Sequence, residues 1–574
     1  MIHTENILRL TVNMSCEEVI QLFSQKNYSC YGFAVVVDQY DCFVGVLSVS
    51  DFLMFSVQLG SANKSFIDFI NRSPEIISIG DMTNVNINEL VYNLLPDPRS
   101  LLHQYTPIIT SESKVFGIYN RDSALMHVNA DRTSVCIVGM GFVGLTLSIG
   151  LATKGLTVYG YDKNSVLLNS IANAEITVKE PDIQNKIKDV LHNQKLKLLQ
   201  SIDKLPDHVN TFIVCVGTPV DTDGSADLSA IYSSLNNVAS VAKPGTLIIL
   251  RSTVPVGTTR AIAKYIQSCN SSLIPGDNLF VSFAPERTVE GNAIQETFSI
   301  PQIIGGFTRI CELVSTNFWK QVTKNVVIAQ TLEESELVKL VNNSFRDLSF
   351  AFANSLIDLC EPLNISVTSL INAANSGYPR NKISLPSPGV GGYCLTKDPL
   401  LLAHSWSNHT CYTDHPGIEL PKLSRTVNNL AATYPFRQFK KFLDLYEYDL
   451  NKLNLLVCGL AFKGIPETND LRGSCGVQLV HQLSTISDKV YLYDKIADLS
   501  LVMKNPLHYD KTLQYDAVFI MNNHPENYSV LFSLLSEQSS ISFVFDGWEC
   551  SNLTASQLDK IAYFSLLGKT ILEN

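Results

Sequence analysis

The amino-acid sequence predicts an α/β protein: two doubly wound parallel-sheet domains, joined by a helical middle with a long spine helix and preceded by a small α+β pair. Three observations carry that prediction. Apolar β-type runs alternate with helical stretches in two separate blocks, which is the sequence form of parallel sheets covered on both faces. Between the blocks, the thirty residues from Thr331 to Cys360 contain neither Pro nor Gly and keep a helical period. Ahead of both, FAVVVDQYDCFVGVLSVSDFL (33–53) can be laid on YTPIITSESKVFGIYNRDSAL (105–125), so the N-terminal part holds a repeat of its own. A chain of 574 residues is too long for one core. The expected division is 1–128, 131–328, 329–440 and 450–574.

Composition narrows the function. With 45% hydrophobic and 17% charged residues the chain is an ordinary folded protein, and a net charge of −11 excludes a nucleic-acid partner, which needs a basic face. A phosphate-bearing ligand must then be held by helix ends and a few placed cations. The 13 cysteines are scattered and show no C-x-x-C pair, so no metal site is expected. The opening MIHTENILRLTVNMSCEE lacks a compact apolar leader, and with the scattered cysteines a cytoplasmic location is expected. The uncharged run from Thr133 to Thr153 is long enough for a bilayer, but a buried strand, turn and helix explain it equally well, and no membrane contact is expected.

In chain order, each repeat copy is an apolar strand, a turn and a second strand reaching Gly45 or Gly117, followed by an acidic residue. At Ser134 a new pattern begins. VCIVGMGFVGLTLSIGLATKGLTVYGYDKN is a strand, a glycine turn, a helix and a second strand ending at Asp162, eighteen residues past Gly144. Gly139 allows the tight turn, Gly141 lets backbone approach a pyrophosphate, Gly144 lets helix and strand pack, and Phe142 and Val143 open the helix whose amides face the ligand. Asp162 would accept from the adenosine ribose and repel a 2′-phosphate. This favours NAD over NADP, with Lys163 working the other way. The sheet continues through TFIVCVGTP, GTLIILRSTVP and NLFVSFAPE. After the spine helix and a Pro/Gly-rich stretch (378–392), NLLVCGLAFKG, KVYLYDK, YDAVFIMNN and SFVFDGW read as the second sheet.

GVGGYCLTKDP (389–399) sets a cysteine behind glycines with Lys397 and Asp398 close after it. Moving one hydride from an alcohol needs a base and no thiol. A thiol serves when an aldehyde must be oxidised further: the thiolate adds to the carbonyl, a second hydride leaves, and the thioester is hydrolysed to an acid. Free cysteine has a pKa of ~8.5, so a locally favoured thiolate is expected, helped by exposed amides of the glycine run and by Lys397.

GMGFVG, VGTPVD, STVPVGTT, FAPERTVEG, ELVKLVNNSF, GVGGYCLTKD and GLAFKGIPETNDLR occur in one order over more than four hundred residues. In this the chain resembles the UDP-glucose/GDP-mannose dehydrogenase family, NAD-dependent four-electron oxidases of nucleotide sugars with two Rossmann-like domains. The resemblance implies Cys394 as the thioester-forming nucleophile, Lys339 as the cation for developing oxyanions and Asn343 as a sugar contact. Asp398 would work with that lysine through water, Glu286 would assist water in thioester hydrolysis, and Thr218 would position it. Gly391, Phe462 and Lys463 are implied at the substrate, Glu290 and Arg472 at the cofactor, and Arg380 at the substrate of a neighbouring subunit in a homodimer or higher oligomer. The N-terminal pair resembles CBS modules, which implies an adenine nucleotide gripped by Ser48 and Asp51, with Asn120 and Asp122 as the poorer second copy; a purely structural appendage is the alternative. YPRNKISLPSPGVGGYC and APERTVEG are similar to the branch acting on UDP-N-acetylhexosamines, while Tyr393 and Lys397 depart from it, so UDP-GlcNAc, UDP-GalNAc, UDP-ManNAc and UDP-glucose stay open. So do two other classes, a two-electron hydroxyacid-type dehydrogenase and a non-catalytic nucleotide sensor.

Overall fold

The computed structural model describes residues 2–3, 7–24, 33–48, 51, 65–72, 76–79, 105–120, 132–221, 224–276, 278–409, 415–448 and 452–572. Its N-terminal part comprises β1 (Ile2–His3), β2 (Arg9–Thr11), α1 (Cys16–Ser24), β3 (Phe33–Val37), β4 (Phe43–Ser48), β5 (Ile77–Ile79), β6 (Tyr105–Thr110) and β7 (Val115–Asn120). The sequence repeat is structural. β3/β4 and β6/β7 are antiparallel hairpins whose ladders slip at equivalent places, between Val36 and Val37 and between Ile108 and Ile109. Each hairpin carries a parallel neighbour, β2 on β3 and β5 on β6. The two copies share a core of Val35, Val37, Ile109, Val115 and Ile118. Ile108 instead joins the core of the following domain, with Phe116 packed against that core. Ser48 donates to Asp51 Oδ2 at 2.5 Å and accepts from the Asp51 amide at 3.0 Å, so the pair expected at a ribose is engaged with itself. Asp122 lies outside the described residues, and of Asn120 only the backbone is described.

The first large sheet contains β8 (Ser134–Val138), β9 (Thr157–Tyr161), β10 (Leu196–Leu199), β11 (Thr211–Val214), β12 (Thr246–Leu250), β13 (Leu279–Phe283), β14 (Gln302–Gly306) and β15 (Val326–Ile328). Its order is β10-β9-β8-β11-β12-β13-β14-β15, with only β13 and β14 antiparallel. β8, β11, β12 and β13 are buried along their whole length, as a parallel sheet covered on both faces requires. The order reverses direction between β8 and β11, and that switch point opens a crevice at the strands' C-terminal ends. The uncharged run resolves into β8, a turn and the twelve-residue helix α2 (Phe142–Thr153); among the described residues no helix is long and apolar enough to cross a membrane.

The spine is α3 (Leu332–Ser355), a 24-residue helix capped by Thr331, which accepts from the Glu334 amide. The helix predicted through Cys360 ends at Ser355, and a separate turn (Ile357–Cys360) follows. One face of α3 buries Ser335, Glu336, Lys339, Asp347 and Asn354; the opposite face leaves Val341, Phe345 and Phe352 more than half exposed. α4 (Tyr393–His409) and α5 (Pro416–Ala431) pack on α3.

The second large sheet contains β16 (Leu455–Cys458), β17 (Val490–Tyr493), β18 (Leu507–His508), β19 (Ala517–Ile520), β20 (Ile541–Asp546), β21 (Ile561–Leu566) and β22 (Lys569–Leu572), in the order β18-β17-β16-β19-β20-β21-β22. Its first turn duplicates that of the first sheet. Gly139 (φ +94°) and Gly459 (φ +88°) both donate to the carbonyl ending the second strand, Tyr161 at 2.8 Å and Tyr493 at 2.9 Å. Asp162 and Asp494 each accept from the amide after that glycine at 2.7 Å. The first helix passes so close that a Cβ on Gly144 would lie 1.8 Å from the Gly139 carbonyl oxygen; on Gly476, in α6 (Cys475–Ser484), the same distance to Gly459 is 2.5 Å. The difference is an excursion, 462–474, placed between turn and helix only in the second domain. It carries Lys463, Asp470 and Arg472.

Candidate active site

Cys394 is the second residue of α4, where first-turn amides lack helical partners and the helix dipole is positive. The glycines ahead of it are dictated by packing. A Cβ on Gly391 would sit 2.4 Å from the Gly473 carbonyl oxygen, and one on Gly392 (φ +90°) would sit 2.8 Å from the Phe462 ring. The run lets the cysteine loop press against the excursion of the second sheet domain, rather than baring amides to a thiolate as the sequence suggested. Three contacts fix the loop: Arg425 Nη2 to Val390 O at 3.1 Å, Ser387 N to Asn354 Oδ1 at 2.9 Å and Gly392 N to Arg472 O at 3.1 Å. Arg425 is itself paired with buried Asp347 at 2.6 Å.

The motif residues converge on this loop from three elements. From α3, Asn343 Nδ2 donates to Asp398 Oδ2 at 2.6 Å and Lys339 Nζ lies 3.9 Å from Glu286 Oε2. Glu286 Oε1 accepts from the Thr288 amide at 2.6 Å and lies 3.9 Å from Arg251 Nη2. Lys397 Nζ is 3.1 Å from Asp398 Oδ1, yet the angles do not make a hydrogen bond, and both atoms are buried without such a partner. The Cys394 side chain is exposed to the cleft but walled by protein. Burial pushes its thiol pKa up; Lys339 and Lys397 pull it down, while Asp398 and Glu286 push it up. The raised thiol pKa runs against the locally favoured thiolate expected from the sequence.

On the cofactor side, a Cβ on Gly141 would meet nothing within 4 Å, and no side chain caps the helix that starts there, so the amides of Phe142 and Val143 stay open to an anion. Asp162 closes the far end, its Oδ2 accepting from the Met140 amide at 2.7 Å and its Oδ1 from the Asn164 amide at 2.8 Å. Each oxygen keeps a second lone pair for a ribose hydroxyl. Buried Thr218 donates to the Thr253 carbonyl at 2.6 Å, tying the VGTP and STVP turns together. These residues fit a dinucleotide.

Lys463 reaches back across the domains to the Glu290 carbonyl at 2.7 Å, and burial lowers its pKa. Glu290 is expected at the cofactor, but its carboxyl meets Thr468 of the excursion, and burial raises its pKa. Arg472 is locked on Asp470 at 2.7–3.0 Å and stacks on the Tyr393 ring at 4.5 Å. Arg380 is exposed and donates to the Tyr378 hydroxyl at 3.3 Å. Sequence reasoning missed Arg251, which has no motif beyond closing a strand, and the Asp347–Arg425 pair, whose members lie in different helices. A cavity of about 530 Å³ opens between α5 and α6, lined by Val390, Arg425, Gly473 and His481 among others; Cys394, Lys339 and Glu286 do not line it.

Residues 133–323, 333–429 and 456–552 match the NAD binding, central and UDP binding domains of the UDP-glucose/GDP-mannose dehydrogenase family. The chain belongs to that family. It is an NAD-dependent nucleotide-sugar dehydrogenase, and residues 1–57 match a CBS domain. The UDP-N-acetyl-D-mannosamine dehydrogenase of Pyrococcus horikoshii is 30% identical over 414 residues, 72% of this chain and 94% of that protein. The Campylobacter jejuni enzyme of the same name is 32% identical over 380 residues, 65% of this chain and 89% of its own. Among solved structures, the P. horikoshii UDP-D-ManNAc dehydrogenase aligns with a TM-score of 0.67 at 28% identity over 76% of this chain and 99% of that one. The native UDP-N-acetyl-mannosamine dehydrogenase of Staphylococcus aureus aligns at 0.62 and 25% identity over 76% and 98%. This dehydrogenase differs from the matched part of those relatives by the CBS-type unit at its N-terminus.

Proposed function

We propose that this dehydrogenase oxidises the C6 hydroxyl of UDP-N-acetylmannosamine to the uronate through a thioester on Cys394. The carrying observation is the cleft itself, where one thiol is faced by two lysines and two carboxylates between the glycine turn and the second sheet domain. The names of the relatives favour this sugar; the family's carboxylate product suits a reaction that builds surface polysaccharide.

NAD bound at the Gly139–Gly144 turn supplies the acceptor for the hydrides of both oxidations. Asn343 and Asp398 hold the C6 hydroxyl, and Asp398 takes its proton by way of water and Lys339. At the aldehyde stage the Cys394 sulfur bonds to C6, its proton passing to a neighbouring carboxylate, while the Lys339 ammonium stabilises the oxyanion. After the second oxidation, Glu286 and Thr218 orient the water that attacks the thioester, and the C–S bond breaks to return the thiol. Phe462 and Lys463 close on the nucleotide sugar from the excursion, and the backbone at Gly391 meets it. Arg472 meets the cofactor phosphate.

The outward stripe of α3, continued by exposed Leu423 and Leu430 of α5, is proposed as the homodimer face, through which Arg380 would reach a neighbouring cleft. All described cysteines are free thiols, which supports a cytoplasmic setting. The mutual bond of Ser48 and Asp51 favours a structural role for the N-terminal unit over a nucleotide grip. The test is a panel of UDP-sugars with NADH counted per product. Two NADH per uronate, lost in Cys394→Ser, is expected; one NADH would return the protein to the two-electron class.

A further inference from the structure

We infer that Arg251 is a positioning residue for Glu286, clamping one carboxylate oxygen from below so that the other stays aimed into the cleft. The inference rests on the reading of Glu286 as the group that orients water.

Arg251 follows β12 and its side chain is 1% exposed. A buried guanidinium is costly, and an apolar side chain of similar volume would fill such a place without that cost. The site nevertheless pins it on several sides. Nη1 donates to Ala284 O at 3.3 Å and to Gln302 Oε1 at 3.0 Å, and Gln302 is itself oriented by donating to Thr297 O at 2.7 Å. The guanidinium lies over the Trp319 ring at 5.3 Å. Nε is buried without a hydrogen-bond partner, and Nη2 lies 3.9 Å from Glu286 Oε1, the oxygen that also accepts from the Thr288 amide. Oε2 faces Lys339. The two oxygens thus have separate duties: Oε1 is anchored to protein, and Oε2 is released whenever Lys339 turns to a substrate oxyanion. The other charged or titratable groups facing Glu286 are Arg287, Cys215 and Cys394. Of the two cations within 4 Å, Arg251 is the more deeply buried, its side chain 1% exposed against 7% for Lys339.

Full-length Arg251→Met, Arg251→Lys and Glu286→Gln are compared in rapid-quench turnover of the UDP-sugar that the wild type oxidises, with the acyl-enzyme weighed by intact mass. In Arg251→Met, breakdown of the acyl-enzyme should slow at least about 10-fold while its formation changes less than about 3-fold. The acid limb of breakdown should move up by about one pH unit, and Arg251→Lys should restore most of the rate. Equal slowing of both phases, an unmoved limb, or a lysine variant as poor as methionine overturns the inference. Where Arg251→Met does not fold, Gln302→Met, which loosens the clamp and keeps the charge, should give a weaker form of the same selective slowing; unaltered breakdown in it counts equally against. Glu286→Gln separates the two levels: if it hydrolyses at the wild-type rate, the water-orienting reading itself fails, whereas a stalled Glu286→Gln beside an unaffected Arg251→Met removes only the role of Arg251.

Discussion

Around the sulfur of Cys394 two cations oppose two anions, and burial, the largest influence, raises the thiol pKa. Its alkylation by iodoacetamide should therefore still be accelerating at about pH 9, with no plateau near neutrality. The neighbours give opposite signs. Lys339→Met removes a group that lowers the thiol pKa and should slow alkylation at pH 8 severalfold; Asp398→Asn removes one that raises it and should speed it. A wild-type plateau below pH 8, or the same sign for both variants, contradicts this balance. At this scale contiguous motifs marked residues that the fold brings together, with Lys339 near Cys394 and Asn343 bonded to Asp398. The sequence was opaque where a side chain acts through a distant partner. Arg251 looks like the last residue of a strand until Glu286 folds above it. The glycines before Cys394 could be recognised as special, but their reason, the closeness of Phe462 and Gly473, belongs to another domain.

One element, α3, borders the candidate site on one face and the proposed dimer surface on the other. Its inward face holds Lys339 and Asn343, and also Glu336, which accepts from the Gly257 and Thr259 amides at 2.6 and 2.7 Å and from the Thr259 hydroxyl at 2.6 Å. Burial outweighs these donors and pushes Glu336 up to about 7. A folded-state value above the unfolded one of about 4.3 means the fold binds this proton more tightly. Stability from the group is thus fully present below pH ~4.3 and is lost as pH rises through about 7, by roughly 4 kcal/mol at most. Melting temperatures between pH 5 and 8 should fall more steeply for the wild type than for Glu336→Gln; parallel slopes would refute the assignment. The outward face makes a separate prediction. Phe345 is 71% exposed on the chain alone, and Phe345→Glu should convert a dimer to a monomer in light scattering while leaving the monomer folded. The helix itself was plain from its period. Its end was not: no Pro or Gly marks Ser355, and packing sets the break.

For the whole molecule, the repeated turns of the two sheet domains show how one design takes two roles. Where the helix follows the turn directly, at Gly139–Gly144, the first amides are left open; where residues 462–474 intervene, Lys463 reaches the Glu290 carbonyl and Arg472 bonds Asp470 instead. The alternation of strands and helices made both sheets legible, and only the coordinates reveal that the excursion replaces a phosphate turn. The N-terminal unit is joined to this frame through its second hairpin, with Ile108 fully buried in the core of the first sheet domain and Phe116 packed against it. A unit attached in that way stabilises its host. Removal of residues 1–131 should uncover the apolar surface that Ile108 fills, and Ile108→Ala alone should cost roughly 2–5 kcal/mol. Calorimetry of the truncated chain is expected to show a lower melting temperature, with two NADH per uronate retained in whatever fraction stays folded. Because Ser48 and Asp51 bond to each other, Asp51→Ala should leave turnover with and without ATP unchanged. A truncated enzyme that melts like the full chain but has lost a response to ATP would mean that the N-terminal unit regulates the dehydrogenase and does not brace it.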